Sequence, residues 1–344
     1  MSKKKQPKIN EAHFERKITA IDTHTQGEPT RIILDGFPEP KGDTMLEKMQ
    51  DVAKNHDHYR SALMDEPRGH KDMFGALLTK PINPKADFGV IFMEGTGYMP
   101  MCGHGSMGAA TALVEAGLVE VSEPYTAITL EAPAGLIEAK VAVEEGKAKE
   151  VSIINVPSFL YKEKQTIEID DHLFQYDLVF GGNFMALVEA SQLGLQVSSS
   201  DLAELTAIGI KLLEKINRDI DIQHPNLDIT EVVTCEFYET IDTDELKNRN
   251  VVVFGDYQVD RSPCGAGTST MMAAMYAQGK LSLHESFINE SIIGSRFVGE
   301  LLEEKPVGSY RAVVPKITGS AYITSQATYF IDPEDALRYG FHLK

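Results

Sequence analysis

A chain of 344 residues with 42% hydrophobic content is long enough to bury a sizeable core in about two domains. Its formal net charge of -18, from 33 basic and 51 acidic side chains, opposes phosphate backbones and anionic membrane surfaces, which argues against nucleic-acid and membrane partners. Three cysteines are too few and too odd for a secreted disulfide framework and suit a reducing cytoplasm, and no apolar run of about 18 residues occurs to span a membrane.

In chain order, MSKKKQPKINEAHFER has lysines but no apolar run behind them, so residues 1–16 read as a solvated tail and not a signal peptide. DTHTQGEPTRII follows from Asp22, and a β-branched and aromatic strand, VIF, ends at Phe92. After Cys102 comes a segment rich in Ala, Met and Leu, which reads as a helix ending at Gly117. SFLYKEKQTIEI, around Tyr161, reads as a bridge between halves, and DLVFGGNFMALV follows from Asp177. Asp201 to Asp219 is predicted as an amphipathic helix. Ser200 is its expected cap, and Leu202, Leu205, Ile208, Leu212 and Ile216 form a packing face. VVTCEFYE places Cys235 in a strand, as a small buried hydrophobe. A second strand, VVF, ends at Phe254, and a second helix runs from Cys264 to Gly279. The final strand-like run, GSAYITSQATYFI, is a candidate for return to the first half.

Two of these stretches superimpose. Both cysteines open Cys-Gly-x-Gly-[Ser/Thr], both helices carry an alanine (Ala112, Ala274), and both close on glycine (Gly117, Gly279). The strands ending at Phe92 and Phe254 stand at the same distance from each cysteine. A weaker match aligns Asp22 and Gly27 with Asp177 and Gly182. Two correspondences in the same order point to a duplicated domain. The expected division is 17–160 around Cys102, with 321–344 as its candidate return, and 161–320 around Cys264.

Each cysteine is therefore expected at a helix N-terminus. A free thiol has a pKa near 8.5, so only about 3% is thiolate at neutral pH. Unpaired N–H groups and the partial positive charge of a helix end favour the thiolate and can also cradle a carboxylate. Two such turns facing each other supply what inversion at a carboxylate-bearing carbon requires. A base removes the proton from one face, and an acid delivers another to the opposite face. The helix ends stabilise charge building on the carboxylate. His104 follows Cys102 by two residues, but its counterpart is Ala266, so an imidazole is not needed in both copies. Asp260, four residues before Cys264, is a solvated turn carboxylate or a partner for a cationic amine. No cysteine or histidine cluster has zinc spacing.

The motifs DTHTQGEPTRI, EPRGHKDMFGA, MCGHGSMGAA, FGGNF, DRSPCGAGTS and VPKITGSAYIT, spread through nearly the whole chain after the tail, resemble those of the proline racemase family. This group also holds hydroxyproline 2-epimerases and trans-3-hydroxyproline dehydratases. The resemblance implies an α/β (α+β) fold of the diaminopimelate epimerase-like kind. Two similar halves each wrap strands around a central helix, with the site between them. It implies Cys102 and Cys264 as the paired acid and base, with no pyridoxal phosphate or metal. Backbone groups of Gly103, His104, Gly265 and Ala266 would hold the substrate carboxylate, and Asp260, with His104 beside it, would contact the nitrogen. A homodimer is also implied.

Within the group, dehydratases usually carry threonine where this chain has Cys264, which disfavours dehydration. Phe74 and Phe254 match the two phenylalanines that line the pocket of proline racemases, and such rings leave a 4-hydroxyl without a partner, at a cost of about 1–3 kcal/mol. Ala266 departs from the threonine common at its position. The reading is a cofactor-independent proline racemase acting on a small-molecule substrate. The alternative is a 4-hydroxyproline 2-epimerase with the same chemistry. A non-catalytic amino-acid-binding protein and a Cys102–Cys264 redox switch are the rivals from other classes.

Overall fold

The computed structural model describes residues 9–170 and 172–342; residues 1–8 of the expected tail and the last two residues of 321–344 lie outside the described residues. β1 (Arg16–Thr25) and β2 (Glu28–Asp35) form an antiparallel hairpin. It turns at Gln26 and Gly27, both with positive φ, a conformation that glycine adopts without steric cost. Two short helices, α1 (Met45–Asp51) and α2 (Asp57–Met64), cross over to β3 (Phe74–Thr79), which joins β2 in parallel. β4 (Phe88–Glu94) returns antiparallel and β5 (Tyr98–Met99) folds back on it. Then come α3 (Gly103–Glu115), β6 (Tyr125–Ala132) in parallel with β4, and an antiparallel run through β7 (Gly135–Glu144) and β8 (Lys147–Ile154).

The same order of pairings then recurs. The segment expected as a bridge is β9 (Phe159–Ile169), a strand that pairs antiparallel with β10 (His172–Phe180). β10 turns into β11 (Phe184–Glu189) through Gly181 and Gly182, and Gly182 has φ 109° where Gly27 has 101°. α4 (Leu202–Asp219) leads to β12 (Val232–Asp242), which is parallel to β11. β13 (Lys247–Phe254) and β14 (Gln258–Val259) follow antiparallel, then α5 (Gly265–Ala277). β15 (Ser286–Ser291) runs parallel to β13, and β16 (Arg296–Glu304) and β17 (Val313–Gly319) complete an antiparallel run. β17 pairs with β8. β18 (Ala321–Ile331) pairs with β1 from Arg16↔Ile331 to Thr25↔Ala321, as β9 pairs with β10. The architecture is thus mixed α+β with two similar portions.

α3 is buried from Gly103 to Val114. A helix apolar on every side is one packed on every side, and GHGSMGAATALV supplies the small residues this needs. A Cβ at Gly108 would lie 2.6 Å from Thr23 Oγ1 on β1. Each internal glycine costs about 1 kcal/mol of helix propensity. Burial of larger neighbours offsets this at about 1.5–3 kcal/mol apiece; Met107, Leu113, Ile128, Val141 and Ile153 lie in one cluster that continues to Met272 and Phe297. α5 is buried from Gly265 to Ala274 apart from the half-buried Ala266, and Met272 fills the space at Gly299, where a Cβ would lie 2.5 Å from its sulfur.

α4 presents Leu205, Leu212 and Ile216 to a second cluster, with Leu202 and Ile208 at its margin. Its N-cap is Asp201 and not the expected Ser200, and it makes no side-chain capping bond. Ser200 instead hydrogen-bonds to Ser198 at 2.8 Å and donates to Asp201 Oδ1 at 2.9 Å, so its hydroxyl is taken.

Candidate active site

All nine residues singled out from the sequence line one cleft between the N-termini of α3 and α5: Cys102, Gly103 and His104 from one side, Asp260, Cys264, Gly265 and Ala266 from the other, with Phe74 and Phe254 as wall. Each cysteine is the N-cap of its helix. Cys102 Sγ accepts from the Gly105 N–H at 3.3 Å, and Cys264 Sγ from the Gly267 N–H at 3.3 Å. The first N–H groups of both helices belong to the orphan donors of a helix start, and two partial positive charges converge on the cleft. Such an arrangement favours a negatively charged group in the cleft. The approach is close: a Cβ at Gly103 would lie 3.0 Å from the Gly265 Cα, and the reverse holds for Gly265.

The two caps differ in backbone. Cys102 is extended, with φ -145°, whereas Cys264 has φ 59° and ψ 120°. A non-glycine residue there costs on the order of 1–3 kcal/mol. Surrounding hydrogen bonds hold it: its N–H donates to Ser262 Oγ at 3.1 Å, and its carbonyl accepts from Thr268 at 2.8 Å.

Burial is the leading electrostatic influence. It pushes both thiols up, aided by Asp260 at each, by Glu28 at Cys102 and by Glu236 at Cys264; the capping N–H groups pull the other way. The sequence suggests thiolate character from the helix ends alone. In the closed cleft, desolvation outweighs them, because removing water penalises a thiolate more than one or two N–H donors favour it. His104 is buried and pushed down by burial, against Asp260, so it is neutral near pH 7. Its ring nitrogens stand 3.5 and 3.6 Å from Cys102 Sγ. Phe74 packs edge-on to His104, centroids 4.5 Å apart, and lies 5.5 Å from Phe254. Asp260 is buried, and its Oδ1 accepts from the Ser262 N–H at 2.7 Å. Cys235 is elsewhere, fully buried in the apolar cluster under α4 with Phe237 and Val253.

Sequence reasoning missed several residues. Asn183 and Thr234 line the same cleft, and neither Asn183 Oδ1 nor Thr234 Oγ1 has a hydrogen-bond partner among the described residues. Thr234 stands opposite Phe254 in the β12–β13 ladder. Asn183 lies one residue past Gly182, as Glu28 lies one past Gly27, so the internal repeat carried a signal for both. Glu28, fully buried, accepts from the Arg261 N–H at 2.6 Å. Burial, then Asp260, pushes its carboxyl well above the usual range. Arg261 also reaches Asp72 at 2.7 Å, tying the loop before Cys264 to the segment before Phe74. Among the described residues, no group of three His, Cys, Asp or Glu side chains is disposed to hold a metal ion.

This geometry agrees with what the chain is similar to. The family model described as Proline racemase matches residues 20–342. A proline racemase from Acetoanaerobium sticklandii is 51% identical over 95% of this chain and 99% of that protein. The chain belongs to the proline racemase family. It is also 43% identical to a 4-hydroxyproline 2-epimerase from Streptosporangium roseum, over 95% of this chain and 99% of that protein. A crystal structure of a hydroxyproline epimerase from Agrobacterium vitis, with bound trans-4-hydroxy-L-proline, superposes with TM-score 0.91 at 31% identity, covering 96% of each chain. The α+β fold expected of the family is the fold observed.

Proposed function

We propose that this protein is a cofactor-independent proline racemase, interconverting L- and D-proline through Cys102 and Cys264. The observation that carries the reading is the pair of matched thiols, each capping a helix, with the two helix starts in contact at Gly103 and Gly265. One thiolate takes the α-proton from one face; the opposite thiol delivers its own proton to the other face. The reverse reaction exchanges their roles. The N–H groups of Gly103, His104, Gly265 and Ala266 hold the carboxylate and stabilise the charge that spreads into it. Asp260 receives the substrate nitrogen, with neutral His104 beside it. The identity to proline racemases supports this substrate class.

A second reading, 4-hydroxyproline 2-epimerisation by the same chemistry, is favoured by one observation. The unpartnered Asn183 Oδ1 and Thr234 Oγ1 offer partners for a ring hydroxyl beside Phe254. Incubating L-proline, D-proline and trans-4-hydroxy-L-proline with the enzyme in heavy water, while following optical rotation and α-deuterium, decides between them. Absence of α-exchange with every one of them would refute both and favour a binding protein. The division into 17–160 with 321–344 and 161–320 is likewise our reading, supported by the repeated strand pairings. A homodimer follows from the family resemblance. A cytoplasmic setting is supported by three free cysteines, and no helix among the described residues is long and apolar enough to cross a membrane.

A further inference from the structure

One buried acid beside the cleft has no part in the chemistry above. Glu236, on β12, is fully buried. Its Oε1 accepts from Asn250 Nδ2 at 2.7 Å, while its Oε2 has no hydrogen-bond partner among the described residues. That free oxygen presses on the first turn of α5: a Cβ at Gly267 would lie 2.7 Å from it. Gly267 is the residue whose N–H caps Cys264. An unpartnered buried polar atom is destabilising. The matching strand of the other half, β3, reads FGALLT and has no titratable side chain, so α3 has no such acid behind it from that strand.

We propose that Glu236 is a positioning residue that acts through the first turn of α5 to set the proton affinity of Cys264 selectively, leaving that of Cys102 unaltered. The inference rests on the assignment of Cys264 as one of the two proton-transfer groups. Ionised, Glu236 opposes both the helix-end charge and the Cys264 thiolate; protonated, it leaves both intact. The titratable groups around it are Asp260 on the loop before α5, Cys264 itself, and Cys235 and Tyr238 on its own strand. Asn250 on β13 donates to its Oε1, and the nearby amide of Asn289 on β15, itself bonded to Pro263 O and Thr268 Oγ1, also favours the ionised form. Burial, against these two amides, pushes Glu236 up to about 7, where its charge responds to ordinary changes of pH. Glu28 influences Cys102 in a comparable way, but its Oε2 is held by Arg261 from across the cleft. Glu236, Gly267 and Cys264 all belong to one half, so their coupling persists whether the cleft is open or closed.

The test compares wild type with Glu236→Gln, and with Glu236→Met as a second charge-free variant should the first not fold. Iodoacetamide alkylation of Cys264 and Cys102 is followed by peptide mass spectrometry in the same samples across pH. The Cys264 midpoint should fall by about one unit, roughly tenfold more thiolate at pH values above 7 and below both midpoints, with Cys102 unmoved. An unmoved Cys264, or equal shifts at both thiols, would overturn the proposal. Should neither variant fold, the wild type decides: the ratio of Cys264 to Cys102 alkylation should drop as pH passes through 7, and a flat ratio overturns it. Activity does not enter the readout, so an enzyme inactive on proline counts against the functional reading alone.

Discussion

Gly103 and Gly265 meet so closely that a Cβ at one would lie 3.0 Å from the Cα of the other, tighter than ordinary contact. Both are first residues of helices, so alanine at either would raise helix propensity by about 1 kcal/mol. Gly265→Ala should therefore leave the thermal midpoint within a few degrees while forcing the helix ends apart. The backbone must give by a few tenths of an ångström, and since a misplacement on the order of 1 Å costs roughly a hundredfold, a severalfold loss of rate is expected. Steady-state kinetics beside a melting curve separate the two effects; a fully active Gly265→Ala enzyme would show that the close contact is dispensable.

Cys102→Ser and Cys264→Ser should each abolish racemisation, because a serine hydroxyl is a far poorer base near neutrality. Each variant can retain exchange on one face. Cys235→Ser should racemise normally, though burying a hydroxyl in that apolar cluster should lower stability by about 1–3 kcal/mol. Full racemase activity in either of the first two variants refutes the two-base mechanism.

Cys264 is partly exposed, whereas Cys102 and Cys235 are buried. Iodoacetate should accordingly modify Cys264 first, Cys102 next as the cleft opens, and Cys235 last. Pyrrole-2-carboxylate, a flat analogue bearing a carboxylate, should protect both cleft thiols. Peptide mapping that found Cys235 labelled ahead of the others would count against the site.

Glu236 also predicts a trend in stability. Its folded-state pKa, about 7, lies above the usual carboxyl value, so the folded protein holds a proton that the unfolded chain releases. Its contribution is full below about pH 4.5 and is lost as pH rises to about 7, a change of roughly 2–3 kcal/mol. Denaturant titrations at pH 5 and pH 8 should show this decline in wild type and a flatter profile in Glu236→Gln. Equal slopes would contradict it.

On specificity, the Phe74–Phe254 pair favours an unsubstituted ring, and L-proline should exceed trans-4-hydroxy-L-proline in kcat/KM by on the order of ten to a hundred. Thr234→Val should widen the gap by removing one candidate partner of the hydroxyl. Better turnover of the hydroxylated substrate by the unmodified enzyme would move the protein to the epimerase reading.

The duplication was legible because matched glycines report backbone geometry directly: Gly27 and Gly182, aligned by sequence, share a positive φ, whereas the two cysteines match in sequence but differ in backbone. Helix α4 was legible from its 3.6-residue period, whereas its cap was not, since Ser200 and Asp201 compete for the same position. Thr234 and Glu236, both on β12, were hidden for a different reason. Their role depends on which side of a strand faces the cleft, and that is fixed by pairing with residues far away in sequence. The protonation state of the thiols was hidden too, because local motif reasoning sees the helix end and not the burial around it.

The pairing of β18 with β1 has a consequence for biosynthesis. β1 is made about 300 residues before the strand that lies along it, from Ala321 to Ile331. A nascent chain can close the hairpin of β1 and β2 early, yet the portion that carries Cys102 waits with one sheet edge open until Ala321–Ile331 has been made. Vectorial folding, usually N-terminal first, is inverted here: the half around Cys264 has all its strands before the half around Cys102 does. A chain cut short before Ala321 would carry every residue of the cleft and still lack the strand that completes one side of it.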